Sequence, residues 1–148
     1  MSIFAQIFLG ITAANLYDWA LHKYLLHDIG KNKKSFWSFH WKEHHSRCRK
    51  NNNYDSKVYV KEILSLQVFF LLHAYFLWNY PFLLATMGLY AVSYYVVHRY
   101  AHHNVEWGKK YLRWHYDHHM GRDQDKNWCV VMPLADYILG SREKMVDK

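Results

Sequence analysis

Cysteine is scarce in this sequence. Cys48 and Cys129 stand alone, neither in a Cys-x-x-Cys pair, which excludes a disulfide framework and a thiolate zinc ribbon. Such usage fits a reduced, cytosol-facing compartment. Charge is missing from two long stretches: residues 1–17 and 63–97 contain no Asp, Glu, Lys or Arg. All 19 basic residues fall outside them, ten within residues 23–61 and nine within 99–148. A formal charge of +7 would by itself suggest a nucleic-acid partner. The basic blocks flank apolar runs, however, and that segregation is the pattern of a membrane protein, so no nucleic acid is expected. Internal repeats and low-complexity linkers are also absent, no cleavable signal peptide is expected, and 148 residues allow a single domain over 1–148.

The apolar runs set the expected architecture. Residues 63–97 would extend about 52 Å as one helix, against a hydrocarbon core of about 30 Å, so one straight span is excluded. Pro81 lacks an N–H and disfavours helical geometry at Tyr80, which predicts a break and a transmembrane helical hairpin. Residues 1–21 supply a third apolar helix that enters from the far side. Three spans put both basic blocks on one face, and their Lys/Arg excess makes that face cytoplasmic. Trp19, Trp37, Trp41, Trp107, Trp114 and Trp128 lie in or beside the basic blocks, while Trp78 and Tyr80 mark the opposite interface. The expected fold is therefore all-α: an N-terminal helix plus a helical hairpin in the membrane, and a cytosolic histidine-rich helical cap. The competing reading is a small soluble bundle with buried arms.

What is abundant is histidine, with 12 residues. Eleven of them fall in four short windows, at 22–27 (HKYLLH), 40–45 (HWKEHH), 98–103 (HRYAHH) and 115–119 (HYDHH). At about 100° per residue, His40 and His44 share a helical face, as do His98 and His102, and His115, His118 and His119. Two windows end predicted spans and two lie in the adjoining cytosolic segments, so all four can converge just below the membrane. So many imidazoles exceed the four to six ligands of one first-row ion, which predicts a two-metal centre. Imidazole suits iron, zinc, copper and nickel alike. No Glu-x-x-His pair is present, which excludes the carboxylate-bridged di-iron bundle. A nitrogen-rich pair of irons at a membrane face is suited to activating O2 against lipid C–H bonds, with zinc able to substitute. A surface cluster that merely stores zinc explains the histidine count but not the spacing.

These windows, in this order and with a hairpin between the second and third, resemble the fatty acid hydroxylase superfamily of sterol desaturases, carotene hydroxylases and sphingolipid fatty-acid 2-hydroxylases. The likeness covers nearly the whole chain. YDWALHKYLLHD, VVHRYAHH, WHYDHH and NWCVVMPLADYILGS look most like the core of the fatty-acid 2-hydroxylases and sterol desaturases. The resemblance implies as metal ligands His22, His27, His40, His44, His45, His98, His102, His115, His118 and His119. The second window places three residues between His40 and His44, where some members have two. His103 matches a position that can be histidine without binding metal and is expected to stand behind the ligands. Asp18, one turn before His22, is expected to accept an imidazole N–H and fix the ligand tautomer. Asp117 points away from the ligand face and is expected to be solvated or paired. His73, mid-span, is expected to pack between helices rather than bind metal.

The resulting expectation is a membrane di-iron oxygenase that hydroxylates or desaturates a fatty acyl chain, sterol or carotenoid with O2 and external electrons. No flavin, nicotinamide or haem module is encoded, so electrons would come from a ferredoxin- or cytochrome-type donor. The basic face with Lys31, Lys33, Lys34, Arg49 and Lys50 suits an acidic donor, or equally anionic lipid. The alternative is a non-catalytic membrane metal-binding or metal-transport protein, which would place ligands near the midplane, where only His73 lies. The segment 128–141 is expected to form a short amphipathic helix with Pro133 at its start and Gly140 after its end, lying on the membrane surface over the site.

Overall fold

Ser2 starts the first helix. Its hydroxyl accepts the Ala5 N–H at 3.2 Å and caps α1 (Ile3–Ala20). The computed structural model describes residues 1–145, which are helical with no strand among them; Lys148 of the second basic block lies outside the described residues. Rather than ending, α1 runs on into a π-helical segment, π1 (Leu21–Ile29). A second such segment, π2 (His40–His45), continues into the one-turn helix α2 (Ser46–Lys50). The hairpin follows, as α3 (Val60–Leu77) and α4 (Pro81–His103), then α5 (Val105–Tyr111), α6 (Arg113–Met120) and α7 (Leu134–Ile138).

Pro81 opens α4, where its missing N–H costs nothing, and the chain breaks at Tyr80 as expected. At 1.5 Å per residue, α3 and α4 are about 27 and 34 Å long. Both are long and apolar enough to cross a membrane, yet only 6% of α3 and 11% of the α4 window are buried inside the protein. Leu64, Val68, Leu71, Tyr75 and Phe76 of α3 are exposed. A core helix of a soluble bundle would hide such side chains, so the buried-arm reading is not supported.

Helix α1 does not meet the same apolar criterion, because Gln6, Asn15 and Asp18 interrupt it. Their side chains are instead buried against its neighbours. The Gln6 amide oxygen accepts the Phe82 N–H at 3.2 Å, capping the start of α4, and Asn15 and Asp18 both meet the Tyr90 hydroxyl. These contacts run in register, so α1 lies parallel to α4. A Cβ at Gly10 would sit 2.9 Å from Thr86 Cβ, so the two helices approach as closely as only glycine allows. Helix α3 is antiparallel to both, with Phe70 over Gly88 at one level and Glu62 beside His98 at the lower end. The C-terminal ends of α1 and α4 and the N-terminal end of α3 therefore meet at one end of the bundle, where all four histidine windows gather.

Candidate metal centre

The local helix geometry decides which imidazoles meet. In a π-helix, residues five apart stack, and π1 and π2 each carry a histidine pair at that spacing. His22 and His27 project from π1, and His40 and His45 from π2, into one group. The Nε2 atoms lie 3.0 Å apart for His22 and His40, 3.1 Å for His27 and His45, and 3.2 Å for His40 and His45. His118 of α6 completes this group, 3.1 Å from His45. The expected pairing of His40 with His44 on one α-helical face is thus corrected. The wider turn of π2 sends His44 to a second group, with His98, His102 and His119. His115 joins it through His102 at 3.1 Å. Helix α6 straddles the two groups, with His118 on one side and His115 and His119 on the other. The His45 and His119 rings, 4.3 Å apart, join the groups.

All ten expected ligands are buried, none more than 4% exposed. Burial depresses the basicity of His22, His27, His40, His44, His45, His115 and His119, and holds His118 to a pKa of about 4, so these imidazoles are neutral.

The outward nitrogens are committed. His22, His102 and His118 donate from Nδ1 to the carbonyls of Trp128, Asn53 and Lys126 at 2.5, 2.8 and 2.6 Å. His44, His98 and His27 donate to Asp55, Glu62 and Asp125 at 3.0, 3.2 and 3.2 Å. A carbonyl or carboxylate offers no proton, so each Nδ1 carries the hydrogen and each Nε2 presents a lone pair inward. His44 and His98 then aim two bare lone pairs at each other across 3.2 Å. Two lone pairs repel in that pose, and a cation between them would turn the conflict into coordination. His115 Nδ1 and both nitrogens of His119 have no hydrogen-bond partner among the described residues, an arrangement that costs about 1–3 kcal/mol for each buried polar group left unpaired. The donor set fits metal binding, with five imidazoles in one group and four in the other, His115 standing beside the second.

The loops that hold these acceptors have a shared device. Asn52, Asn53 and Asn127 adopt positive φ (50°, 69° and 59°), which asparagine tolerates, and so turn the chain back onto the cluster. Asn53 presents its own carbonyl to His102, and Asn127 precedes the Trp128 carbonyl that meets His22. Asp55 is fully buried and also takes the Arg47 Nε–H, the Lys57 N–H and the Tyr59 hydroxyl. Burial would raise its carboxyl, but the hydrogen bonds from His44, Lys57 and Tyr59 hold it well below the usual carboxylate range. Cys48 lies behind the second group, its Sγ 3.5 Å from His102 Nδ1 and 3.8 Å from His44 Nδ1. Burial pushes its thiol up, and with His44 and Asp55 it forms a further group that could hold a metal ion.

Two expected partners stand elsewhere. Asp18 does not touch His22; it accepts the Val130 and Val131 N–H groups and the Tyr90 hydroxyl, and so anchors the segment whose Trp128 carbonyl orients His22. One helical turn separates Asp18 from His22, but the π1 turn swings the imidazole away. His103 is exposed, beside Arg99 and Tyr54, and does not stand behind the ligands. Asp117 is paired as expected, though buried, between Arg113 and Arg142. His73 packs against Tyr17 and Phe69, far from both groups in sequence and fold, with Nδ1 on the Phe69 carbonyl. Asp55, Glu62, Asp125 and Gln124, whose amide lies 2.8 Å from His45 Nδ1, were not foreseen from sequence. Each is a single acidic or amide residue without periodic signal; only Glu62, a lone carboxylate at the edge of a charge-free run, was conspicuous.

A cavity of about 290 Å³ rises from this centre between α1, α3 and α4. Leu66, Phe69, Leu72, Met87 and Ala91 line it, and His22, Asp18 and Glu62 stand in its wall. A family model for fatty acid hydroxylases matches residues 7–141. The chain belongs to the fatty acid hydroxylase family. No curated protein and no solved structure matches it. Family membership and the apolar hairpin place this hydroxylase among membrane enzymes that hydroxylate or desaturate lipids, and its two histidine groups could each hold a metal ion. The short tail helix α7 lies against α1, with Pro133 at its start and Gly140 at φ 70° after it, as the sequence predicts. Asn15 accepts the Ala135 N–H, and Asp136, fully buried, accepts the Trp128 and Cys129 N–H groups.

Proposed function

We propose that this fatty acid hydroxylase is a di-iron oxygenase that uses O2 and two external electrons to hydroxylate, or alternatively desaturate, an alkyl or isoprenoid lipid. The observation that carries the reading is the approach of His44 Nε2 and His98 Nε2 to 3.2 Å, with each ring's Nδ1 held by a carboxylate. His22, His27, His40, His45 and His118 would hold one iron, and His44, His98, His102, His115 and His119 the other. Bound there, the metal pair supplies the oxidising power for C–H attack. The chain's own part is ligation, exclusion of water and alignment. Asp55, Glu62 and Asp125 fix imidazole orientation, as outer partners of metal-bound histidines do. The cavity's apolar walls suit an alkyl chain laid with one C–H bond toward His22. A transport role is less well supported, because the single histidine in the span, His73, is occupied by a backbone carbonyl.

Three observations support α1 as a third span: it is parallel to α4, matches its depth, and exposes Phe4, Phe8 and Leu16. The two basic blocks and the histidine cluster would then face the cytoplasm. Reporter fusions at Asn79 and at the C-terminus are expected to read opposite sides of the membrane; the same side for both would overturn the topology. Elemental analysis of gently purified protein is expected to give two transition-metal ions per chain, iron in the active form and zinc after overexpression. A ratio of one or less with all histidines intact would remove the two-metal centre. The activity itself is tested by expression in a lipid-producing host and mass spectrometry of extracted lipids. A gain of one oxygen or loss of two hydrogens, absent with His118→Ala, is expected. Identical lipid profiles from the two would refute the oxygenase reading.

A further inference from the structure

Beside the five-histidine group, a cleft of about 280 Å³ opens at the surface, lined by Lys31, Lys33, Lys42, Trp41, Ser38 and Ser46. Its floor is Trp41. The indole stacks on His45, with ring centroids 5.2 Å apart and planes 30° from parallel, and meets His27 edge-on at 5.0 Å. Lys31 Nζ also lies 5.0 Å over the indole ring. Trp41 is only half-buried, so one conjugated ring touches both the surface cleft and two imidazoles of the group. Lys31 is paired with Asp125. Lys33, Lys34 and Lys42 are exposed and make no ion pair among the described residues, which leaves the rim strongly cationic.

We propose that this cleft docks a reduced, negatively charged one-electron carrier protein, and that Trp41 is the bridge by which its electron reaches the five-histidine group. The proposal rests on the oxygenase reading above and says where the electrons enter. Hydroxylation of a C–H bond by O2 consumes two electrons and two protons and yields the alcohol and one water. Two reduced carriers therefore dock in turn, each giving up one electron and leaving oxidised. The cationic rim steers an acidic partner and sets its encounter rate. Tunnelling weakens steeply with distance, and an aromatic ring whose centroid lies 5.0 and 5.2 Å from those of His27 and His45 shortens the gap between cleft and imidazoles. An anionic lipid headgroup would satisfy the lysines but would have no use for that contact, so a carrier is the occupant the geometry favours.

The test uses the full-length protein in detergent or nanodiscs and two probes, an acidic [2Fe–2S] ferredoxin and an acidic cytochrome b5-type haem domain, with a small viologen reductant as control. With whichever carrier supports turnover, Lys33→Glu/Lys42→Glu is expected to raise KM for the carrier about tenfold at low salt, an effect that fades as salt rises, while viologen-driven turnover is unchanged. Trp41→Leu is expected to lower the ratio of carrier-driven to viologen-driven kcat by about tenfold, with Trp41→Phe restoring most of it. Metal content is measured for each variant. An unchanged KM in the lysine variant overturns the docking site, and loss of its binding to anionic vesicles alongside would make the cleft a lipid contact. An unchanged ratio in both tryptophan variants overturns the bridge. Should neither carrier nor viologen support O2-dependent product, the oxygenase reading fails instead.

Discussion

Alanine at His22, His45, His102 or His118 is expected to abolish product formation and to weaken metal retention by more than about 100-fold, beyond the usual cost of losing an outer partner. Each substitution removes an inward nitrogen from a group whose members act together, so the losses will not add. His45 should be the most damaging. Its Nε2 lies within 3.2 Å of His27, His40 and His118, and its ring joins the two groups through His119. His73→Phe is the control and is expected to keep both metal and activity, because its ring packs on Phe69 and Tyr17. Metal analysis and lipid product on the same preparations decide the matter. An essential His73 with a dispensable His102 and His118 would return the protein to the transport reading.

Asp55→Asn is expected to weaken metal affinity at the second group by about 10–100-fold, so that dialysed protein falls from two ions towards one. The carboxylate receives four donors, among them His44 Nδ1 at 3.0 Å and the Tyr59 hydroxyl at 2.8 Å. An amide has one accepting oxygen and cannot serve them all, so His44 loses the partner that sets its tautomer. The five-histidine group keeps its own acceptors, Trp128, Lys126 and Asp125, and should hold its ion. Asp18→Asn is the contrast. Its oxygen accepts two backbone N–H groups and a tyrosine hydroxyl and touches no imidazole, so both ions should stay. Equal metal loss in the two variants would show that Asp55 acts on the fold as a whole rather than on His44.

The comparison between Asp18 and Asp55 also marks the boundary between what linear order and what folding decided. Uncharged runs, Pro81 and the four histidine windows were sufficient to place an apolar hairpin, an all-helical class and ten buried imidazoles, because hydrocarbon, a missing N–H and ligand chemistry act on residue type directly. Helical phase was read with less success. The i,i+4 rule paired His40 with His44, whereas the π-helical turn pairs His40 with His45 and gives His44 to the other group. Which turn a histidine-bearing segment adopts depends on what its side chains meet across the cluster, and the meeting partners lie up to a hundred residues away. The same holds for the acceptors behind the ligands. His22 takes a carbonyl 106 residues on, and His98 a carboxylate 36 residues back, contacts that exist only once the helices are packed. The sequence by itself therefore determined that the histidines gather at one end of an apolar bundle. Only the tertiary structure decided how they group, five in one set and four in the other with His115 beside His102, and which rings turn Nδ1 outward to an acceptor, because grouping and hydrogen bonding are properties of neighbours in space.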